Sequence, residues 1–161
     1  MEKQLITFNL LEEEFGIDIL YVDGIHRLKE ISITRVPQSE DFIEGIINLR
    51  GQVIPVIDLR RRFSLGSSPQ DRHSRIIVVI IKDKPLGLLV DRVKEVVDVD
   101  EEVIDDPPEE VSSIDKGFIN GIAKLEQRLI IILDIEHILS AGEKEVISEL
   151  VEEVEEKVQD K

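Results

Sequence analysis

Six carboxylates, Asp98, Asp100, Glu101, Glu102, Asp105 and Asp106, fall within nine positions of this chain, a density that could hold a divalent cation. Their order argues otherwise, because a calcium loop alternates its ligands and turns on a glycine, and this run does neither. It reads as a solvated acidic face. The three imidazoles, His26, His73 and His137, have no second His or Cys at ligand spacing, so they read as structural or solvated. Nucleophilic chemistry has no support either: cysteine is absent, and no Gly-x-Ser-x-Gly elbow occurs. Gly16, Gly24, Gly45 and Gly51 stand alone, and none opens a long helix that could cradle a phosphate. The residues therefore predict a non-catalytic protein without metal or cofactor.

Recognition is the remaining chemistry. The chain carries a net charge of −15, which opposes general attraction to nucleic acid or to an anionic membrane surface. Against that background Arg50, Arg60, Arg61 and Arg62 gather within thirteen positions, an island better suited to an acidic protein partner. The run 60–62 reads as the exposed side of a short helix or as such an acidic contact. Arg50 lies between Leu49 and Gly51 in a predicted turn, where its forked guanidinium could engage a partner's carboxylate or carbonyls. The other reading of Arg50 is an internal bridge to an acidic side chain between two halves of the molecule.

The elements that would position these residues are mainly β. Ile occurs 25 times and Val 17 times against two Ala, and β-branched side chains favour pleated surfaces. Leu5–Leu11 and Phe15–Val22 read as strands, and Gly24–Val36 continues them as a meander. Pro37 to Ser39 breaks that strand, with Ser39 capping a short helical turn that carries Phe42, Ile43 and Ile46 inward. Leu49 to Gln52 is a turn, and Val53–Ile57 is a strand in which Pro55 should lie at an edge or a bulge. Asp58 caps the helix Leu59–Phe63. After a polar linker, Gly66–Arg75, come strands Ile76–Ile81, Leu86–Val90, Val93–Val99 and Leu129–Leu133, with an acidic connection at Asp105–Glu110. From Glu143, apolar residues at Val146, Ile147, Leu150, Val151, Val154 and Val158 have helical spacing, so residues 143–161 read as an acidic amphipathic helix or tail that packs on the body or binds a partner. No apolar run approaches the roughly 20 residues of a membrane-spanning helix, nor does the amino terminus read as a signal segment, which predicts a cytoplasmic protein without membrane insertion.

Much of this pattern occurs twice. IEGIINLRGQVIPVIDLRRRF at Ile43–Phe63 recurs 76 positions later as INGIAKLEQRLIIILDIEHIL at Ile119–Leu139. Upstream, Leu5, Ile6, Phe8, Leu10, Gly16 and Pro37 match residues 71 positions later, Ile76, Ile77, Val79, Ile81, Gly87 and Pro108. One structural unit is used twice, about 5–65 and about 76–140, within a single domain of residues 1–142. Gly45 is repeated as Gly121, which marks it as a packing position. Arg50, Gly51 and Pro55 become Glu126, Gln127 and Ile131, so function is sought in those unrepeated residues. Gly51 serves a local turn or the close approach of a partner.

The stretches FGIDILYVDGI at Phe15–Ile25, TRVP at Thr34–Pro37, FIEGIINLRGQVIPVIDLR at Phe42–Arg60 and LGLLVDRVKEVVDV at Leu86–Val99 resemble the CheW family of bacterial chemotaxis coupling proteins. The likeness runs from about Leu5 to Leu139. It implies two intertwined five-stranded SH3-like β-barrels around a shared apolar centre, and a non-catalytic adaptor recruited to membrane-bound receptor arrays. The partners it implies are the cytoplasmic tip of the chemoreceptors and the regulatory domain of the histidine kinase CheA, with the kinase-contact residues unassigned. The motif match gives receptor contact to Arg50 in the turn Asn48–Gly51, beside Gly51, and extends it to Val22, Ile25 and Gly45. The alternative is a regulatory module of the same fold in another two-component signalling pathway.

Overall fold

A computed structural model of the chain describes residues 2–36, 40–107 and 116–159. Eleven strands are present among them: β1 (Glu2–Leu10), β2 (Glu13–Asp18), β3 (Val22–Arg27), β4 (Ile43–Leu49), β5 (Gln52–Asp58), β6 (Arg75–Ile81), β7 (Lys84–Val90), β8 (Arg92–Asp100), β9 (Ile104–Asp105), β10 (Ile119–Leu125) and β11 (Arg128–Leu133). The helices are α1 (Leu59–Arg62) and α2 (Ala141–Gln159). None of the described helices is long and apolar enough to cross a membrane.

The strands form two sheets, ordered β8-β1-β2-β11-β10-β9 and β3-β6-β7-β5-β4. With β1, β2, β3, β4 and β5 equated to β6, β7, β8, β10 and β11, the two orders are the same except that β9 extends the first sheet. Each sheet takes its first hairpin from one copy and its remaining strands from the other. The exchange is sealed by two parallel pairings, β2 with β11 and β5 with β7, where Gly16 sits opposite Ile132 and Gly87 opposite Val56. Interior sides of each sheet are continued by one chain segment that leaves one edge and reaches the other: after β3, Thr34 bridges Ile46 of β4, and after β8, β9 pairs with β10. The SH3-like lobes are thus curled sheets with partly open seams rather than closed barrels.

Side-chain alternation divides the apolar residues among three cores. On β6, Ile76 and Val78 face the interior of one lobe, while Ile77, Val79 and Ile81 face a central cluster shared by both. On β11, Ile130 and Ile132 fill the other lobe and Ile131 and Leu133 join the centre. Both faces are buried over most of β6 and over residues 130–133 of β11, which explains why these stretches are apolar without alternation; Leu129 at the start of β11 is the exception and is exposed.

Several expectations are corrected. The strand over Phe15–Val22 stops at Asp18, whose carboxylate accepts a bond from the Leu20 amide at 3.0 Å and opens a 3-10 turn over Ile19–Tyr21. The meander over Gly24–Val36 is likewise interrupted by a 3-10 turn at Leu28–Glu30. Ile43 and Ile46 lie in strand β4 rather than a helical turn: a bulge between Ile43 and Gly45 inserts one residue, Glu44, and shifts the alternation to a spacing that imitates a helix. Residues 37–39, with the expected Ser39 cap, lie outside the described residues, as do Pro108 to Glu110 and the side chain of Val158. Pro55 is in an interior strand, not at an edge. Its partner Ile46 exchanges both backbone bonds with Thr34, so the missing Pro55 amide points away from β4, and the β7 ladder begins only at Val56. No ladder bond is lost.

Candidate functional site

The turn joining β4 to β5 has two residues, because Leu49 pairs with Gln52. Both are left-handed, Arg50 at φ 54° and Gly51 at φ 83°, and the Asn48 side-chain oxygen accepts the Gly51 amide at 3.1 Å. Positive φ at both central positions gives a turn whose twist matches the flanking strands. The second copy also closes its hairpin with two residues, Glu126 and Gln127, but of these only Glu126 is left-handed, at φ 52°, so the hairpin is shared while the turn type and the guanidinium are not. Arg50 is exposed, and among the described residues it has no hydrogen bond or ion pair. Its reading as an internal bridge is therefore not what the structure contains.

Other arginines make the bridges, and this corrects the expectation of an exposed basic helix. Arg60 is bonded through Nε to Asp91 at 2.8 Å, and Asp91 also accepts the Leu11 amide, which ties α1 to both copies. Arg62 donates to Glu143 at 2.6 Å and lies over the rings of Phe42 and Phe118. Arg61 is held near Asp58 and Asp41. In the second copy these positions are Glu136, His137 and Ile138, so the unrepeated run served as a fold staple rather than a contact surface. Asp58 caps α1 as expected, accepting from the Arg60 amide at 3.0 Å and also from Ser68.

The other candidate residues are not gathered around the turn. Val22 and Ile25 are on β3, at the opposite edge of the same sheet from β4. Val22 is half-buried against the central cluster, and Ile25 is exposed. Gly45 is buried at the bulge, where a Cβ would fall inside 3.0 Å of the Thr34 carbonyl oxygen; it shapes the backbone and presents no side chain. Leu20, 88% exposed, stands just before Val22 and escaped the sequence reading. The available signal was the Asp18 cap, which forces a one-turn helix and turns the next leucine outward.

Two of the partly buried ion pairs shift the acidity of their carboxyls. Burial alone would push the Glu14 carboxyl up, but its bonds and charge attraction to Arg128, with Lys94 nearby, hold it below the ordinary value. Burial acts the same way on Glu143 and is outweighed by Arg62 and by the Ser140 amide. Burial and the carboxylates of Glu136, Asp134 and Asp18 push the Tyr21 phenol up. These groups lock elements together. What the molecule offers to other molecules is a rigid cationic hairpin tip and apolar side chains on β3.

The family model described as a CheW-like domain matches residues 4–143. The chemotaxis protein CheW of Klebsiella aerogenes is 34% identical over 145 residues, covering 90% of this chain and 86% of that protein. CheW of Thermotoga maritima is 37% identical over 142 residues, covering 86% and 88%. The crystal structure of the scaffolding protein TtCheW from Thermoanaerobacter tengcongensis superposes with a TM-score of 0.79 at 44% identity, covering 88% of this chain and 90% of that one. A match that spans nearly every strand, joined to the exchanged double-lobe topology, settles the family: the chain belongs to the CheW-like proteins, non-catalytic scaffolding adaptors of chemotaxis.

Proposed function

We propose that this adaptor couples the cytoplasmic tips of chemoreceptors to the histidine kinase CheA, acting in the cytoplasm and recruited to receptor arrays at the membrane. The observation that carries the reading is Arg50: an unpaired, exposed guanidinium on a preformed hairpin tip, in a chain of the CheW-like family whose other clustered arginines are taken up internally. Arg50 with Gly51 is assigned to receptor contact, with Val22 and Ile25 supplying apolar surface at the other edge of the sheet and Gly45 holding the β4 bulge against Thr34. Such an adaptor alters kinase activity only through contacts that differ between the on and off states, so a rigid scaffold suits the role.

Paired co-sedimentation tests it. The full chain should pellet with a receptor cytoplasmic fragment and, separately, should bind the regulatory domain of CheA. Binding to one alone would overturn coupling and leave a regulatory module.

A further inference from the structure

The internal repeat assigns the two lobes equivalent surfaces, and only one of the pair is covered. Helix α2 lies against Gln52, Val53 and Pro55 of β5 and Lys84 and Pro85 of β7. Its Ile147 and Leu150 enter the central cluster together with Val53, which is only 9% exposed, and Lys84 reaches Ser148 at 3.3 Å. Adding 76 to the β5 positions gives Arg128, Leu129 and Ile131; subtracting 71 from the β7 positions gives Glu13 and Glu14. These five residues, with Glu12 and Ile122, line a groove of their own. Ile122 is the counterpart of Ile46. Nothing among the described residues lies on this second groove as α2 lies on the first. Leu129 is 60% exposed where its counterpart Val53 is buried and belongs to none of the three apolar clusters, while Ile122 and Ile131 form the buried floor beside it.

The geometry points to this groove as a helix-docking site for another protein: an amphipathic helix with an apolar stripe and lysine or arginine along its flanks. The occupied seat shows which backbone shape accepts a helix of this kind, and charge selects the occupant of the empty one. Acidic α2, with Glu152 and Glu155 beside its seat, flanks Lys84. At the equivalent position the second groove has Glu13, next to exposed Glu12, while Glu14 is already neutralised by Arg128 and Lys94 and Arg128 also faces Glu95. The rim is left acidic. The α2 of a second copy carries seven Glu between Ala141 and Gln159 and is repelled there, which removes self-association through this helix as the occupant.

The test uses the isotopically labelled full chain and three synthetic peptides: the α2 sequence with each Glu changed to Lys, the same composition with its apolar stripe scrambled, and native α2. The charge-reversed peptide should bind saturably, with amide shifts concentrated at 12–14 and 128–131. Its affinity should fall about tenfold or more with Leu129→Ser and again with Glu13→Lys, both exposed positions whose replacement leaves the fold intact. Equal binding of the scrambled or the native acidic peptide would overturn the proposal, as would shifts confined to 52–55 and 84–85, or indifference to both substitutions.

Discussion

Arg62 and Glu143 fasten the last helix to the body of the protein: Arg62 Nη1 donates to Glu143 Oε2 at 2.6 Å across 81 positions of sequence. The Arg62 guanidinium carbon lies 4.4 Å from the centre of the Phe42 ring and 4.7 Å from that of Phe118, so the cation is desolvated between two π faces. Glu143 is also the third residue of α2. Its carboxylate accepts the Ser140 amide at 2.8 Å while its own amide donates to Ser140 Oγ at 3.2 Å, a reciprocal cap. One carboxylate thus both starts the helix and anchors it.

Glu143→Ala removes the cap bond and strands the Arg62 charge, and should cost about 2–4 kcal/mol of unfolding free energy. Glu143→Gln keeps an acceptor for the Ser140 amide and should cost roughly half as much. Urea denaturation gives the ranking, and faster hydrogen exchange along α2 in both variants locates the loss. Equal stability of Glu143→Ala and the parent would remove the anchor.

Acid sensitivity follows from the two depressed carboxyls. Glu14 and Glu143 both have folded-state values below the 4.5 of the free side chain. The folded state therefore favours their ionised forms; their contribution is complete above pH 4.5 and is lost as pH falls through the folded values. The urea midpoint should drop steeply below pH 4.5, and Glu14→Gln with Glu143→Gln should flatten that limb while lowering stability near pH 7. An unchanged acid limb in the double variant would mean that other carboxylates carry the dependence.

Three glycines should rank by what surrounds them. A Cβ at Gly45 would meet the Thr34 backbone, which is held by its bonds to Ile46 and cannot retreat. At Gly121 the nearest atom is the Ile104 Cγ2 methyl, at 2.6 Å, with the Asp105 carbonyl oxygen at 3.0 Å. At Gly51 there is open space, and only the left-handed φ of 83° is unfavourable. Substitution by Ala should thus cost about 3 kcal/mol or more at Gly45, somewhat less at Gly121 and about 1 kcal/mol at Gly51, read from thermal or urea unfolding.

How far the chain could be read without coordinates depends on the range of each interaction. Leu49–Gln52 as a turn and Asp58 as a cap were legible because both are closed by residues within three positions. The duplication was legible because apolar positions repeat at fixed offsets. Exchange of the first hairpins was not legible in the offsets, since 71 and 76 are the same whether β2 pairs with β5 or with β11; only the family resemblance implied intertwined lobes. The Arg60–Arg62 run was misread for a related reason: its partners Asp91 and Glu143 lie 31 and 81 residues away, and charges counted along one short helix carry no trace of them. Of the candidate site, the exposure of Arg50 and Ile25 was within reach of turn and alternation rules, whereas Leu20 depended on a 3-10 turn that broke an apparently continuous strand.

The matched caps Asp58 and Asp134 have diverged in their work. Asp58 is buried and accepts from the Arg60, Arg61 and Ser68 amides, whereas Asp134 makes no cap bond and contacts His137 Nδ1 at 2.7 Å. Asp58→Ala leaves several amides without a partner and should cost about 2–3 kcal/mol, against about 1 kcal/mol or less for Asp134→Ala. Comparable unfolding midpoints for the two variants would show that the linker bonds at Ser68 contribute little.

Arg50→Glu separates function from folding. The side chain is solvated and unpaired among the described residues, and glutamate already occupies the equivalent left-handed position at Glu126, so the turn accepts the change. Unfolding free energy should shift by no more than about 0.5 kcal/mol. Reversing the charge places a carboxylate where a receptor's acidic or carbonyl groups would approach, and receptor co-sedimentation should weaken by about tenfold or more with kinase-domain binding retained. Loss of both bindings would point to a perturbed fold, which the unfolding curve detects directly; normal receptor-dependent kinase activation with this variant would remove Arg50 from the receptor contact.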